Sequence, residues 1–287
     1  MTVRFLMLLH SVISAGTYLA AKRALGELSP FELALARFGA TGAFYGALVA
    51  ARRVSIPRRD LWGLAALGVV AIPINQGLFL YGMSLTTPGH AALLYALTPV
   101  FVFLLARWRF GERTTRLKLA GIATAFAGVV VVLLGRGALG LPGAGKGLLG
   151  DLLILVAVAA WAVYAVWGKA YAERFGVRVM IGVTISIGTL VYLPFGLWLS
   201  DLSAFGRLSA VGWGSVAYLV VLTSIVAYLI YYWAMRRTDA SRVAVWSNLQ
   251  PVFTAVAAWA IYGEPITSTF LVGGAMVLAG VVLTERG

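Results

Sequence analysis

Pro99-Val100-Phe101-Val102-Phe103-Leu104-Leu105-Ala106-Arg107-Trp108-Arg109-Phe110-Gly111-Glu112 returns 152 residues later as a segment that opens Pro251-Val252-Phe253 and closes Gly263-Glu264. The internal spacing is the same in both copies. Each Pro lies inside a run too apolar for a soluble helix, and each Gly-Glu closes that run where the chain becomes polar again. The chain is therefore two related halves. A period of about half the length points away from solenoids, whose repeats typically span about 20 to 50 residues, and toward a duplicated five-helix unit.

Composition sets the environment of that unit. Of 287 residues, 61% are hydrophobic and 11% charged, and the apolar residues come in long blocks bounded by Arg, Gly and Pro. This pattern defines an all-α polytopic membrane protein whose first partner is the lipid bilayer. A net charge of +13 would suggest nucleic acid in a soluble protein, but here the cations sit in short connectors, where they set membrane orientation, and no nucleic-acid partner is expected. The absence of cysteine removes disulfides and thiolate metal sites. No metal or cofactor is expected. The first apolar run, 5–21, has no small-residue cleavage site and carries His10, Ser11 and Ser14, so it reads as a retained helix.

At roughly 20 residues per crossing, the chain divides into ten candidate spans. They run near 4–22, 31–51, 61–84, 89–107, 115–135, 148–169, 178–199, 209–235, 240–261 and 266–284. The first five-helix repeat occupies 1–140 and the second 141–287, as one integral membrane unit. With the N-terminus inside, the inner connectors and flanks hold 17 Lys and Arg and the outer ones five, namely Lys22, Arg23, Arg136, Lys146 and Arg207, while Arg37 lies within the second span. Short cation-rich loops stay cytoplasmic, so both termini are expected inside. An odd number of helices per half then makes the second copy enter from the opposite face. The repeats should be inverted, an arrangement common among secondary transporters.

A second correspondence agrees. Ser14 precedes Lys22 by the same distance that Trp161 precedes Lys169. Each lysine alone reads as a snorkelling cap, but the matched pair argues for duplication. The paired Pro-to-Gly-Glu segments, the Trp161-Ala162-x-Tyr164-Ala165-x-x-x-Lys169 opening of the second half, Ala36-Arg37-Phe38 and the ten-helix count resemble the drug/metabolite transporter superfamily. The nearest likeness is to its bacterial EamA-type exporters, over nearly the whole chain. That resemblance implies residence in the bacterial inner membrane and export of metabolites or amino acids through a cavity between the halves. The second half departs from the pattern at Pro265, where the first has Arg113, and Arg37 has no clear counterpart.

Polar groups in hydrocarbon are costly unless they face a partner or a wet cavity, so they mark candidate cavity walls. His10, Ser14 and Tyr18 share a face of the first span. Asn75, Gln76 and Phe79 follow Pro73 in the third, and Tyr95 precedes Pro99 in the fourth. The second half offers Trp161 and Tyr164, then Tyr228, then Trp246 and Asn248 ahead of Pro251. These twelve residues are the candidate solute contacts; helix packing is the alternative for each aromatic. Rings combined with uncharged hydrogen-bonding groups suit an amphipathic solute, with aromatic or branched amino acids first. Pro99 and Pro251 expose the carbonyls of Tyr95 and Ser247 at mid-membrane and read either as paired hinges or as packing kinks. Glu112 and Glu264, at the span ends, are gate candidates. Arg37, about 9 Å along its helix, could pair with Glu32 or hold a substrate carboxylate, and a structural role is favoured because Gly42-x3-Gly46 gives the second span a packing face.

Energy coupling leaves a weaker imprint. Gly140 to Gly147 imitates a P-loop, yet Gly147 stands where Ser or Thr is required and no strand precedes it. With no acid at the middle of a span, either His10 titrates or the protein is a facilitator, and the facilitator is preferred. An intramembrane enzyme would need a nucleophile–base pair or metal ligands, and neither His-Glu-x-x-His nor Gly-x-Ser-x-Gly occurs. No catalytic residue is assigned. A channel is the nearer rival, but paired proline breaks favour alternating access. A monomer suffices for this reading.

Overall fold

The computed structural model describes residues 3–51, 55–110, 115–138, 144–235 and 249–286. Among the described residues every regular element is a helix, as expected of a backbone that must satisfy its own polar groups in hydrocarbon. The elements are α1 (Val3–Ala24), α2 (Pro30–Ala51), α3 (Arg58–Leu85), α4 (Pro88–Arg109), α5 (Arg116–Ala138), α6 (Ala144–Phe175), α7 (Val177–Leu199), α8 (Ala210–Ala217 continuing through Tyr228–Met235), α9 (Gln250–Tyr262) and α10 (Ser268–Arg286). Eight of them, α1 to α8, are long and apolar enough to cross a membrane, and α10 adds a shorter apolar stretch, Ser268–Thr284. Of the ninth expected span, the first residues lie outside those described.

Three helices are interrupted, each where its sequence explains it. In α3, Val70–Gln76 widens into a π-helix around Pro73; a proline lacks the N–H and crowds the carbonyl four residues back, and a wider turn relieves both. In α8, Tyr218–Ala227 is π-helical without any proline, and the Ser224 hydroxyl bonds the carbonyl of Leu219 five residues earlier at 2.9 Å. The two wide turns fall at overlapping places when one half is shifted by the 152-residue period. α4 breaks at Ala96-Leu97, and a fresh helix, Thr98–Phe110, opens with Pro99 in its first turn. α9 opens the same way, with Pro251 in the first turn of Gln250–Tyr262.

Small residues govern how the helices meet. α5 lies along α10 in antiparallel fashion: a Cβ on Gly121 would meet Gly280 and Thr284, one on Gly128 would meet the Gly273 carbonyl at 2.6 Å, and one on Gly135 would meet Thr269. Backbones this close gain dispersion contacts that replace the hydrophobic effect within lipid. α2 lies along α7 likewise. Gly42 faces Thr189 and Gly46 faces Ser186, while the Thr189 hydroxyl donates to the Phe38 carbonyl at 3.2 Å. The second helix is thus packed into the assembly and not peripheral. α1 packs on α8 and α9, and α6 packs on α3 and α4.

The chain ends of two helices show how the sequence closes them. Gly263 takes a left-handed conformation (φ 63°) after α9, which only glycine adopts without strain, and its N–H bonds the Trp259 carbonyl at 3.1 Å. α6 runs well past the expected 148–169, and its last turn carries Arg174, whose Nη1 lies 2.7 Å from Asp60 Oδ1 at the start of α3.

Candidate functional site

The polar centre of the molecule is built around Arg37. Its side chain is 2% exposed. Nε donates to Ser224 Oγ on α8 and Nη1 donates to Gln76 Oε1 on α3, both at 3.1 Å, and the guanidinium stands 4.9 Å from the Phe38 ring centroid. No carboxylate of the described residues reaches it. Glu32, the partner considered from sequence, is occupied elsewhere, accepting from the backbone N–H of Ser29 at 2.7 Å and of Asp201 at 3.0 Å. Tyr45 of α2 reinforces the node by donating to the Ser224 carbonyl at 3.1 Å.

From Gln76 a chain of side chains continues. Gln76 Nε2 donates to Asn75 Oδ1 at 2.6 Å, and Asn75 Nδ2 donates both to the Ala157 carbonyl of α6 at 2.6 Å and to the Tyr95 hydroxyl of α4 at 3.0 Å. The Tyr95 carbonyl, freed by Pro99, accepts from the Thr98 hydroxyl at 2.7 Å.

Aromatic rings surround the chain's end. Tyr18, Phe79 and Tyr95 form a triangle with centroids 5.6 to 6.1 Å apart, all edge-on, a favoured arrangement for ring quadrupoles. A second group of rings is centred on Trp161, which lies 6.0 Å from Tyr228 and 5.5 Å from Tyr164. Tyr95, Trp161 and Tyr228 are half-buried at mid-helix, whereas Tyr18 and Phe79 are buried. Tyr164 turns its hydroxyl toward α7, where it meets Thr184 Oγ1 at 2.9 Å and Met180 Sδ at 3.4 Å.

On α1, His10 Nδ1 lies 3.1 Å from the Ala227 carbonyl, so that nitrogen carries the hydrogen, and Nε2 faces Ser14 Oγ at 3.4 Å. The imidazole also lies 5.4 Å from the Tyr231 ring. This contact has a counterpart. His10 corresponds to Ala157 by the Lys22/Lys169 spacing, and Ala227 corresponds to Asn75 by the proline spacing. In each half a side chain therefore bonds a mid-helix carbonyl at the same junction, from α1 in one case and from α3 in the other.

A second polar group, unforeseen from sequence, lies where α1, α3, α4 and α6 end or begin. Asp151 is fully buried, accepts from the Thr86 hydroxyl, and pairs with His90 Nδ1 at 3.0 Å. Lys22 Nζ donates to the carbonyls of Thr86 at 2.6 Å and Met83 at 3.3 Å, closing the last turn of α3. Next to it Glu264 accepts from the Thr87 hydroxyl and from the Gly89 N–H at 3.2 Å, so the turn after α9 caps the start of α4. Glu112, Trp246 and Asn248 lie outside the described residues. Among the described residues no group of three His, Asp or Glu could hold a metal.

A helical bundle with its polar groups turned inward and its large hydrophobes, such as Trp62 and Trp198, exposed on its outside is an integral membrane protein in outline. The EamA-like transporter family model matches residues 1–134 and again 148–286, and the chain belongs to that family. It is 32% identical to an Archaeoglobus fulgidus protein described as an uncharacterized transporter, over 97% of this chain and 96% of the relative. It is 28% identical to the uncharacterized transporter YyaM of Bacillus subtilis, over 99% and 93%. It is 26% identical to the uncharacterized inner membrane transporter YedA of Escherichia coli K12, over 95% and 87%. A solved crystal structure, 21% identical, superposes with a TM-score of 0.69 over 98% of this chain and 95% of that one, which speaks to the fold. The chain is thus a multi-pass membrane transporter and not an enzyme.

Proposed function

We propose that this transporter exports small amphipathic metabolites, amino acids including aromatic ones first, by alternating access through a cavity between two inverted five-helix repeats. In this reading ten helices cross the bacterial cytoplasmic membrane and both termini lie inside. The observation that carries the solute class is the ring shell around a polar chain: Tyr18, Phe79 and Tyr95 from one half, Trp161 and Tyr228 from the other. Such a lining favours a solute with an apolar body and a few hydrogen-bonding groups. Inversion is supported by the exchange pattern of the contacts. The Gly121–Gly280 pair becomes the Gly273–Gly128 pair when each residue is replaced by its equivalent 152 positions away, and both pairs are in contact. The two matches of the family model, 1–134 and 148–286, support the division near residue 140.

Pro99 and Pro251 then serve as the hinges, each opening a helical segment beside the cavity, and Glu264 acts as a latch at the outer end of α4, with Glu112 as its counterpart within. Flux of labelled aromatic amino acids out of proteoliposomes tests the reading. Saturable flux with counterflow is expected. Unsaturable flux would make the protein a channel, and saturable flux restricted to polar or cationic solutes would overturn the amphipathic class.

A further inference from the structure

The orientation of the polar chain at the centre can be worked out from its two ends. An arginine donates and never accepts, so the Gln76 side chain must turn Oε1 toward Arg37 Nη1. Its amide nitrogen then points onward and donates to Asn75 Oδ1. Asn75 is left with its NH2, which reaches the Ala157 carbonyl and the Tyr95 oxygen. The far end gives the same answer independently, because a carbonyl only accepts. Flipping either amide would set donor against donor at one end, so both orientations are fixed by chemistry.

One hydrogen remains. The Tyr95 oxygen is an acceptor in its bond to Asn75, so its own hydrogen must be given to something else. Among the described residues Tyr95 makes no other hydrogen bond than those through Asn75 and its own backbone. Its ring is half-buried, held edge-on by Tyr18 and Phe79. Every link of the chain donates away from the guanidinium, so the dipoles of Gln76, Asn75 and Tyr95 run head to tail with a buried cation behind them. Chains aligned in this way polarise one another in a low dielectric. The outcome is a strong donor that faces the ring shell, backed by a positive charge whose partners Ser224 and Gln76 are both neutral.

We infer that Tyr95 is the docking point for a carboxylate on the transported solute, with Arg37 supplying the counter-charge through Gln76 and Asn75, and that the natural substrates are amphipathic monocarboxylates. This rests on the export reading above and narrows it. Tyr95 touches the substrate; Arg37, Gln76 and Asn75 act through it as positioning residues. The apolar body of the solute lies against Tyr18, Phe79 and Trp161.

The test uses matched pairs: L-phenylalanine against L-phenylalaninamide, and 3-phenylpropionate against 3-phenylpropanamide, carried by the purified protein in proteoliposomes. The native protein should favour the carboxylate of at least one pair by about tenfold or more, the size expected of a hydrogen bond to a charged group. Tyr95→Phe keeps the ring and removes the donor. Gln76→Glu keeps the length of the side chain and gives Arg37 a carboxylate of its own. Both should bring the carboxylate-to-amide ratio close to one, whatever overall flux each variant retains. A purely structural role for the chain would instead lower both fluxes together and leave the ratio unchanged. Thermal stabilisation of each detergent-purified variant by the same four compounds reads binding apart from flux, and serves if one variant folds poorly. A native protein that treats acid and amide alike, or a ratio that survives both substitutions, overturns the inference while leaving export of amphipathic solutes intact. If neither member of either pair moves or stabilises the native protein, the export reading fails and the carboxylate site falls with it.

Discussion

Asn75 ties three helices together, because its one amide joins α3 to α6 through Ala157 and to α4 through Tyr95. Asn75→Ala leaves the Gln76 NH2 without its acceptor and the Tyr95 oxygen without its donor. Buried groups left unsatisfied cost about 1 to 3 kcal/mol each, so the variant should melt several degrees lower in detergent and lose selectivity among solutes. An unchanged melting temperature would mean that a neighbouring group replaces the bond. Asn75, Gln76 and Tyr95 were legible in sequence as polar side chains in apolar runs. Their order in a chain was not, because the guanidinium that starts it comes from 39 residues before Gln76, and its other partner, Ser224, lies 187 residues after Arg37. Asp151 was passed over for a related reason. It lies near the start of α6, and the groups that hydrogen-bond it, Thr86 just past the end of α3 and His90 on α4, come from 65 and 61 residues earlier in the chain.

Between elements, glycine and the connectors set the geometry. The α5–α10 seam rests on Gly121, Gly128 and Gly135, spaced seven apart, a pattern visible in sequence but without a visible partner. In Gly128→Leu the new side chain would meet the Gly273 carbonyl and the Met276 side chain at once. A backbone atom cannot give way as a flexible side chain can, so the helices must separate. The expected cost is about 1 to 3 kcal/mol or more, read as a lower unfolding temperature; Gly145→Leu, where a Cβ meets nothing within 4 Å, is the control and should be close to neutral. The connector before α2 behaves differently because it is wet. The Glu27 carboxyl accepts from both the N–H and the hydroxyl of Ser209, each at 2.8 Å, and from Arg23. Those bonds, the Ser209 backbone N–H first, hold its pKa below the ordinary carboxylate range. A carboxyl with a depressed folded pKa adds stability above its unfolded pKa, about 4.3, and loses it as the pH falls through the folded value. Thermal unfolding of the native protein should therefore weaken on acidification below about pH 4.3, and Glu27→Gln should show a shallower decline there, starting from a lower plateau at neutral pH. Parallel curves would show that the Ser209 contact does not survive in solution.

For the molecule as a whole, the two Pro-to-Gly-Glu segments are the sequence's argument for duplication, and for the second of them the structure adds why it ends as it does: Gly263 turns the chain and Glu264 then caps the start of α4. The helical interruptions were harder to read. Pro73 marks the wide turn in α3, but α8 widens at the matching place with Ser224 and no proline, so only comparison of the two halves exposes it. The same comparison bears on orientation. If the repeats are inverted, the connector at Asp201–Ser209 and the one at Ser55–Pro57 must lie on opposite faces, the first outside and the second inside, as the cation distribution requires. The chain contains no cysteine, which supplies a silent background. Ser203 and Ser55 are both exposed in connectors, so Ser203→Cys and Ser55→Cys can each be introduced without disturbing the core. A membrane-impermeant charged maleimide should label Ser203→Cys in intact cells and reach Ser55→Cys only after the membrane is permeabilised. The reverse pattern would place the termini outside and make Glu264 a cytoplasmic latch. Labelling of both from one side would deny the inversion itself, and with it the exchange of inner and outer gates on which alternating access depends.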